Sequence, residues 1–187
     1  MSYAAPSRPA QQRAILDPAL APVIVDWELQ FSRPPLKRAS AYWSSLCGER
    51  KMPRRQELSP SRMREFLPHV NLIDIVRESP DGVPDFIVTL QGQHGYEIYG
   101  ALAHRPLDEA LPPLVAQRWR QSFLVCCHAG RPVRFRSQMS IGGKAWLEGE
   151  VLVAPLGDEE TGVQSLFAVF ACWQAEGFGS GAVSLNS

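Results

Sequence analysis

The sequence predicts an α+β domain: a five-stranded antiparallel sheet with helices on one face and N-terminal helices capping it. Three observations carry this. The elements read in the order helices, two strands, several helices, three strands. The segment Leu166-Phe167-Ala168-Val169-Phe170-Ala171-Cys172-Trp173 is apolar on both faces, as a strand is when it lies mid-sheet and is covered on both sides. Residues 133–140 and 145–154 pair as a hairpin whose register can be argued from their side chains.

From the start, residues 1–13 are rich in Ala, Pro, Ser, Gln and Arg and read as a disordered beginning. Ala19 to Phe31 carries Leu20, Val23, Ile24, Trp27 and Phe31 at helical spacing, which predicts a short amphipathic helix ended by Pro34-Pro35. A second helix is expected from about Leu36 to Cys47, with Ala39, Tyr42, Trp43 and Leu46 on one stripe and Gly48 as its stop. Ser59-Pro60 opens a third, Ser as N-cap and Pro as first helical residue, burying Met63, Phe66 and Leu67 and ending at Pro68.

Residues 70–77 read as the first strand, closed by the turn Ser79-Pro80-Asp81-Gly82. Phe86, Val88 and Leu90 alternate along a second strand, so residues 70–91 form a hairpin. Residues 92–113 are broken by Gly and Pro and fit short helical turns. Leu111, Leu114, Val115, Trp119, Phe123 and Cys126 then mark a helix of about five turns, closed by Gly130.

For the second hairpin, a three-residue loop Gly142-Gly143-Lys144 places Val133, Phe135, Ser137 and Met139 opposite Val153, Val151, Gly149 and Leu147. The other face then pairs Arg136 with Glu150 and Gln138 with Glu148, a solvated arrangement. A two-residue loop sets Phe135 against Glu150, which is worse. The central last strand is expected beside the first.

These elements divide the chain into an N-terminal segment (1–35), N-terminal capping helices (36–68), a sheet-and-helix core (69–174) and a flexible tail (175–187). The 187 residues suffice for a full core without disulfides or metal. Nineteen basic residues balance nineteen acidic ones, which argues against a nucleic-acid partner held by bulk charge. The run Lys51, Arg54, Arg55, Arg62 and Arg64 reads as a solvated face. The first twenty residues hold no apolar core of signal-peptide length, and no run approaches the roughly 18 apolar residues of a membrane span. The four cysteines form no CxxC pair. The economical location is a reducing cytoplasm.

The order strand-strand-helices-strand-strand-strand, with a central last strand, resembles the PAS fold. Tyr42-Trp43, Leu46, Pro53, Arg55, Pro60, Leu67-Pro68 and the strand Val70–Val76 resemble the opening of a PAS-like family common in alphaproteobacteria. Leu90, Gly92, Gly100 and Leu107-Asp108 resemble that family's Leu-x-Gly, Gly and Leu-Asp positions. The resemblance spans roughly residues 40–174. Two positions depart from it: Gln93 replaces a Thr-like residue and His104 a Gly.

No catalytic motif stands out. Gly92-Gln93-His94-Gly95 lacks the Lys-Ser/Thr of a phosphate loop and reads as a strand-to-helix turn. Cys126, Cys127 and His128 follow one another on a helix and so point apart. His94, His104 and His128 share no metal-ligand spacing. The candidate pocket between helices and sheet combines the aromatic residues Tyr96, Tyr99, Trp119, Phe123, Phe135 and Phe170 with the polar Gln91, His94, His104 and Ser137. A solid core of the same residues is the alternative.

The expected function is a non-catalytic sensory or regulatory module. It would bind a small ligand or protein partner and signal through helix packing, through a homodimer of its N-terminal helices, or to a separate signalling protein. The alternative is a small enzyme or apolar-ligand carrier using the same cavity, with His94 or His104 as acid/base. The sequence specifies no metal or cofactor.

Overall fold

The computed structural model describes residues 13–14, 23–76, 84–141 and 145–174. The polar start (1–12), the Ser79–Gly82 turn, the Gly142–Lys144 loop and the tail (175–187) lie outside the described residues.

Among the described residues seven strands form one antiparallel sheet: β1 (Arg13–Ala14), β2 (Val23–Asp26), β3 (Val70–Val76), β4 (Asp85–Gln91), β5 (Val133–Ile141), β6 (Ala145–Asp158) and β7 (Gly162–Gln174). Their spatial order is β1-β2-β5-β6-β7-β3-β4. The five strands expected from the sequence are its contiguous part β5 to β4, with β7 at their centre and beside β3. The β5–β6 register is the one argued above: Val133, Phe135, Ser137 and Met139 face Val153, Val151, Gly149 and Leu147.

The helices are α1 (Pro34–Cys47), α2 (Gln93–Tyr99), α3 (Leu107–Ala110) and α4 (Pro113–Ala129). Side chains alternate between sheet faces, so neighbouring residues on β7 report the two covers. Phe170 packs against Tyr99 of α2 and Trp119 of α4. Trp173, on the other face, stacks under the Arg33 guanidinium at the entry to α1, 3.7 Å from ring centre to Arg Cζ. Every residue from Ser165 to Ala171 is buried, which is why this strand is apolar throughout.

Several expectations need correction. Residues 23–26 form strand β2, not a turn of an amphipathic helix, and pair with Arg134–Arg136 of β5. Short-range helical spacing yields here to the open edge of β5, whose backbone groups need partners. Pro34-Pro35 do not end a helix; they are its first two residues, where a missing N–H costs nothing. Residues 60–69 are two short 3-10 turns, Pro60–Met63 and Leu67–His69, rather than one α-helix. Ser59 makes no side-chain cap there; its N–H donates to the Tyr42 hydroxyl at 2.8 Å.

Leu90 does not share a face with Phe86 and Val88. The β3–β4 register shifts between Leu72 and Ile73, so that Leu72 faces Leu90 while Ile73 faces Val88. Thr89 is the extra residue of this bulge, and its hydroxyl accepts from the Arg55 guanidinium at 2.8 Å. Arg55 also pairs with Asp74. With the Gly157 N–H donating to Pro53 O at 3.0 Å, this fixes the Pro-x-Arg connector to β3, β4 and β6.

The largest correction concerns Glu150. It was expected on a solvated face opposite Arg136, and that register holds. The side chain, however, is fully buried, because α1 and its lead-in cover this face. Its carboxylate accepts the N–H of Ser32 (3.0 and 3.1 Å), the Ser32 hydroxyl (2.8 Å), the Arg33 N–H (3.1 Å) and Arg134 Nε (2.6 Å). Arg134 in turn donates to Asp26 of β2 at 2.9 Å. Burial pushes the Glu150 carboxyl up, but the Ser32 and Arg134 donors outweigh it and hold it below its usual value. On α1, Leu36, Ala39, Tyr42, Trp43 and Cys47 are buried, and Trp43 Nε1 donates to Pro155 O at 3.0 Å. Its exposed positions include Lys37, Arg38, Ala41, Ser44 and Ser45. Among the described residues no helix is long and apolar enough to cross a membrane.

Glu150→Gln removes the charge between Arg134 and the α1 entry and is expected to cost about 3 kcal/mol, read from urea unfolding. The native pKa of Glu150 lies below 4.5. Its contribution is therefore present above that pH and is lost as pH falls through the lowered native value. In Glu150→Gln this part of the acid loss should vanish. Gly92→Ala is expected to cost about 2 kcal/mol or more in the same assay, because an added Cβ would sit 2.4 Å from Pro68 O and 2.7 Å from Val70 O.

Candidate functional site

The face of β7 under α2 and α4 gathers rings. Phe170 lies 5.9 Å from Tyr99, 6.4 Å from Trp119 and 5.6 Å from His94, centroid to centroid. Tyr99 and Trp119 meet edge to face at 5.2 Å, and Trp119 contacts Phe123 at 5.8 Å. Phe123 closes on Phe86 of β4 at 5.2 Å. Edge-to-face contacts of this kind add to the stabilisation from burial. Phe135 is buried on the same face, in the cross-strand row of Val151 and Phe170, and Ser137 lies in the row of Gly149 and Cys172.

The other candidates do not join this cluster. The Gln91 side chain spans the loop after α2, donating to Gly100 O at 2.8 Å and accepting from the Leu102 N–H at 2.9 Å. Tyr96 is 55% exposed, on the outer side of α2. His104 is exposed in the loop beside β4, where its N–H donates to Val88 O at 2.8 Å. Its φ is 61°, in the left-handed region that glycine favours. The family-like Gly position is thus filled by a residue that must adopt the glycine conformation.

Three residues at the site were not singled out from the sequence. Asn71 of β3 is 1% exposed and its Oδ1 has no hydrogen-bond partner among the described residues. A Cβ added to Gly95 of α2 would lie 3.1 Å from this oxygen and 3.1 Å from Phe170 Cζ, so helix and sheet approach closely here. His69, in the turn before β3, packs its ring 4.7 Å from that of His94 and bonds Phe170 O through Nδ1 at 2.9 Å. Cys172 donates its N–H to His94 Nε2 at 3.3 Å. A polar residue within the apolar first half of the strand (Val70-Asn71-Leu72-Ile73) is the signal the sequence offers for Asn71.

Electrostatics at the site favour neutral groups. Burial pushes the Cys172 thiol up to about 12 and the Tyr99 hydroxyl well up. Burial and the neighbouring His69 hold His94 below the usual histidine value, against the opposing pull of Glu97. Cys126 is fully buried and raised by burial, its thiol bonding Val153 O at 3.5 Å. These thiols are therefore poor nucleophiles. Among the described residues no group of three or more His, Cys, Asp or Glu is placed to hold a metal. As an acid/base candidate His94 has its Nε2 lone pair engaged by Cys172, and His104 makes none of the ring contacts. The basic run is largely paired: Arg54 with Asp158 at 3.4 Å, Arg55 with Asp74, and Arg62 over the Tyr42 ring.

A family model described as a PAS domain matches residues 31–171. Nothing among curated proteins matches the chain, and no solved structure does.

His104→Gly should relieve the strained φ without loss of buried contacts. A gain of about 1 kcal/mol in urea unfolding is the expected outcome. Phe170→Ala removes the ring shared by His94, Tyr99 and Trp119 and should cost about 3 kcal/mol or more in the same assay.

Proposed function

This chain belongs to the PAS domain family, and from that premise we propose that it is a non-catalytic sensory module whose signal enters between α2 and β7. PAS domains are in general sensory or regulatory modules without catalytic activity. The resemblance of its Tyr42-Trp43, Pro53-x-Arg55 and Leu67-Pro68 pattern to the alphaproteobacterial PAS-like family supports reading it as a member of that branch, with a reducing cytoplasm as its expected location.

The observation that carries the proposal is Asn71 Oδ1: a buried acceptor without a partner among the described residues, on the sheet face covered by α2, where Gly95 comes close to both it and Phe170, the ring that meets His94, Tyr99 and Trp119. An unmet buried acceptor carries a free-energy cost. A small molecule with one donor and an apolar body would relieve that cost and pack against the rings. The rings touch one another, so entry of such a molecule would require α2 or α4 to shift on the sheet. Binding would then favour the shifted arrangement. The output would pass through the helices to a separate signalling protein or to a second copy. Self-association through the N-terminal helices would have to use the polar outer side of α1, since its apolar residues pack on its own sheet.

The test is a metabolite screen by thermal shift and native mass spectrometry on the wild type and Asn71→Leu. A ligand of this site raises the wild-type melting temperature and leaves Asn71→Leu unmoved. Without ligand, Asn71→Leu is expected to be unchanged or more stable by up to about 1 kcal/mol, since it removes an unpaired acceptor. A ligand that stabilises both proteins equally, or reproducible turnover of a substrate, would overturn the proposal.

A further inference from the structure

Strand β3 runs out before β7 does. Its first residue, Val70, pairs with Val169, while β7 continues to Gln174. Beyond Val169 the edge of β7 that faced β3 has no strand beside it among the described residues. In an antiparallel ladder, backbone groups of residues i and i+2 point to the same side. Phe170 O and Cys172 N–H therefore both face this free edge. Two histidines meet them there: His69, the residue just before β3, through Nδ1 to Phe170 O at 2.9 Å, and His94 of α2 through Nε2 to Cys172 N at 3.3 Å.

These partners fix both tautomers. A carbonyl oxygen only accepts, so His69 Nδ1 carries a proton; a backbone N–H only donates, so His94 Nε2 carries none. The two bonds respond differently to acid. A protonated His69 still donates from Nδ1 to Phe170 O. A protonated His94 presents an N–H to an N–H.

We propose that His94 is a proton-operated latch on the free edge of β7: protonation of its Nε2 breaks the bond from Cys172 N–H and frees α2 from the sheet. The groups facing His94 are His69 from the preceding turn, Cys172 from β7 and Glu97 from its own helix. His69 opposes a charge on His94 and Cys172 supplies only a donor. Glu97 favours the charge, but its carboxylate stands 4.0 Å from Nδ1 and is 58% exposed, so solvent screens it. Burial and His69 accordingly keep the ring neutral to below the usual histidine value of 6.5. Stability from this latch is complete above about pH 6.5, falls as pH drops towards the lowered native value, and changes no further below it. Gly95 follows His94, and a Cβ on it would lie 3.1 Å from both Phe170 and Asn71, so release moves the wall of the site proposed above. The latch itself needs no small molecule and is tested without one.

The experiment is a pH titration of the full-length, isotope-labelled protein from pH 8 to 5 by NMR, following the Cys172 amide and the His94 ring nitrogens. In the wild type the Cys172 amide should move upfield with the His94 midpoint, and its exchange protection should fall roughly tenfold, as for one lost hydrogen bond. In His94→Gln, whose amide oxygen accepts the same N–H and gains no proton, that step should be absent. In His69→Gln the step should persist with its midpoint moved up. A Cys172 amide that ignores His94 protonation, or a step kept unchanged in His94→Gln, would overturn the proposal. The wild-type titration decides the matter even if a variant does not fold.

Discussion

The buried carboxylate of Glu150 is the constraint on which the architecture rests. A carboxylate removed from water is stable only when its lone pairs are met. Here four donors from two distant parts of the chain meet them, two of them the N–H groups of Ser32 and Arg33 that lead into α1. The N-cap residue Arg33 makes no side-chain cap of its own. A negative charge at this end also suits the helix dipole. The consequence is a second cover for the sheet: α1 lies on β6 and β7, and Trp43 reaches Pro155 O. Arg134 extends the same network to Asp26, which brings β2 onto the edge of β5. The family match begins at Phe31, one residue before Glu150's first partner.

With both faces covered, β7 meets the helices of both layers. Phe170 and Cys172 look towards α2 and α4; Trp173 looks towards Arg33. Its ladder is complete on the β6 side to Gln174 but ends early on the β3 side. Side chains finish what β3 leaves open, and side chains can be changed by a proton or a ligand where a strand cannot. The end of β7 is therefore held on that side by the His69 and His94 side chains. It also lies beside Asn71 Oδ1, the buried acceptor on which the sensory reading depends.

Much of the fold was legible because it follows from local patterns. The β5–β6 register came from requiring Val133, Phe135 and Val151 to share a face, and the place of β7 came from its two apolar faces. The site was less so. The rings of Tyr99, Trp119, Phe123 and Phe170 were found as apolar residues at helical or strand spacing. Tyr96 and His104 were grouped with them by proximity in sequence, yet both are exposed. A histidine after Leu-Pro looks like any turn residue in the sequence, and the role of His69 exists only because β3 begins one residue later. Leu90 was put on the wrong face because a one-residue bulge at Thr89 leaves no mark on apolar alternation.

What the sequence determined by itself was therefore the set of strands from Val70 to Gln174, their pairing and the doubly covered last strand, since burial of apolar side chains dictates all three. What only the tertiary structure decided was where polar groups end up. Glu150 reads as a solvated strand residue until α1 covers it, and residues 23–26 read as helix until the edge of β5 offers them partners. A hydrogen bond between residues a hundred positions apart has no local pattern to announce it, because its donors and acceptors are brought together by the core rather than by the chain.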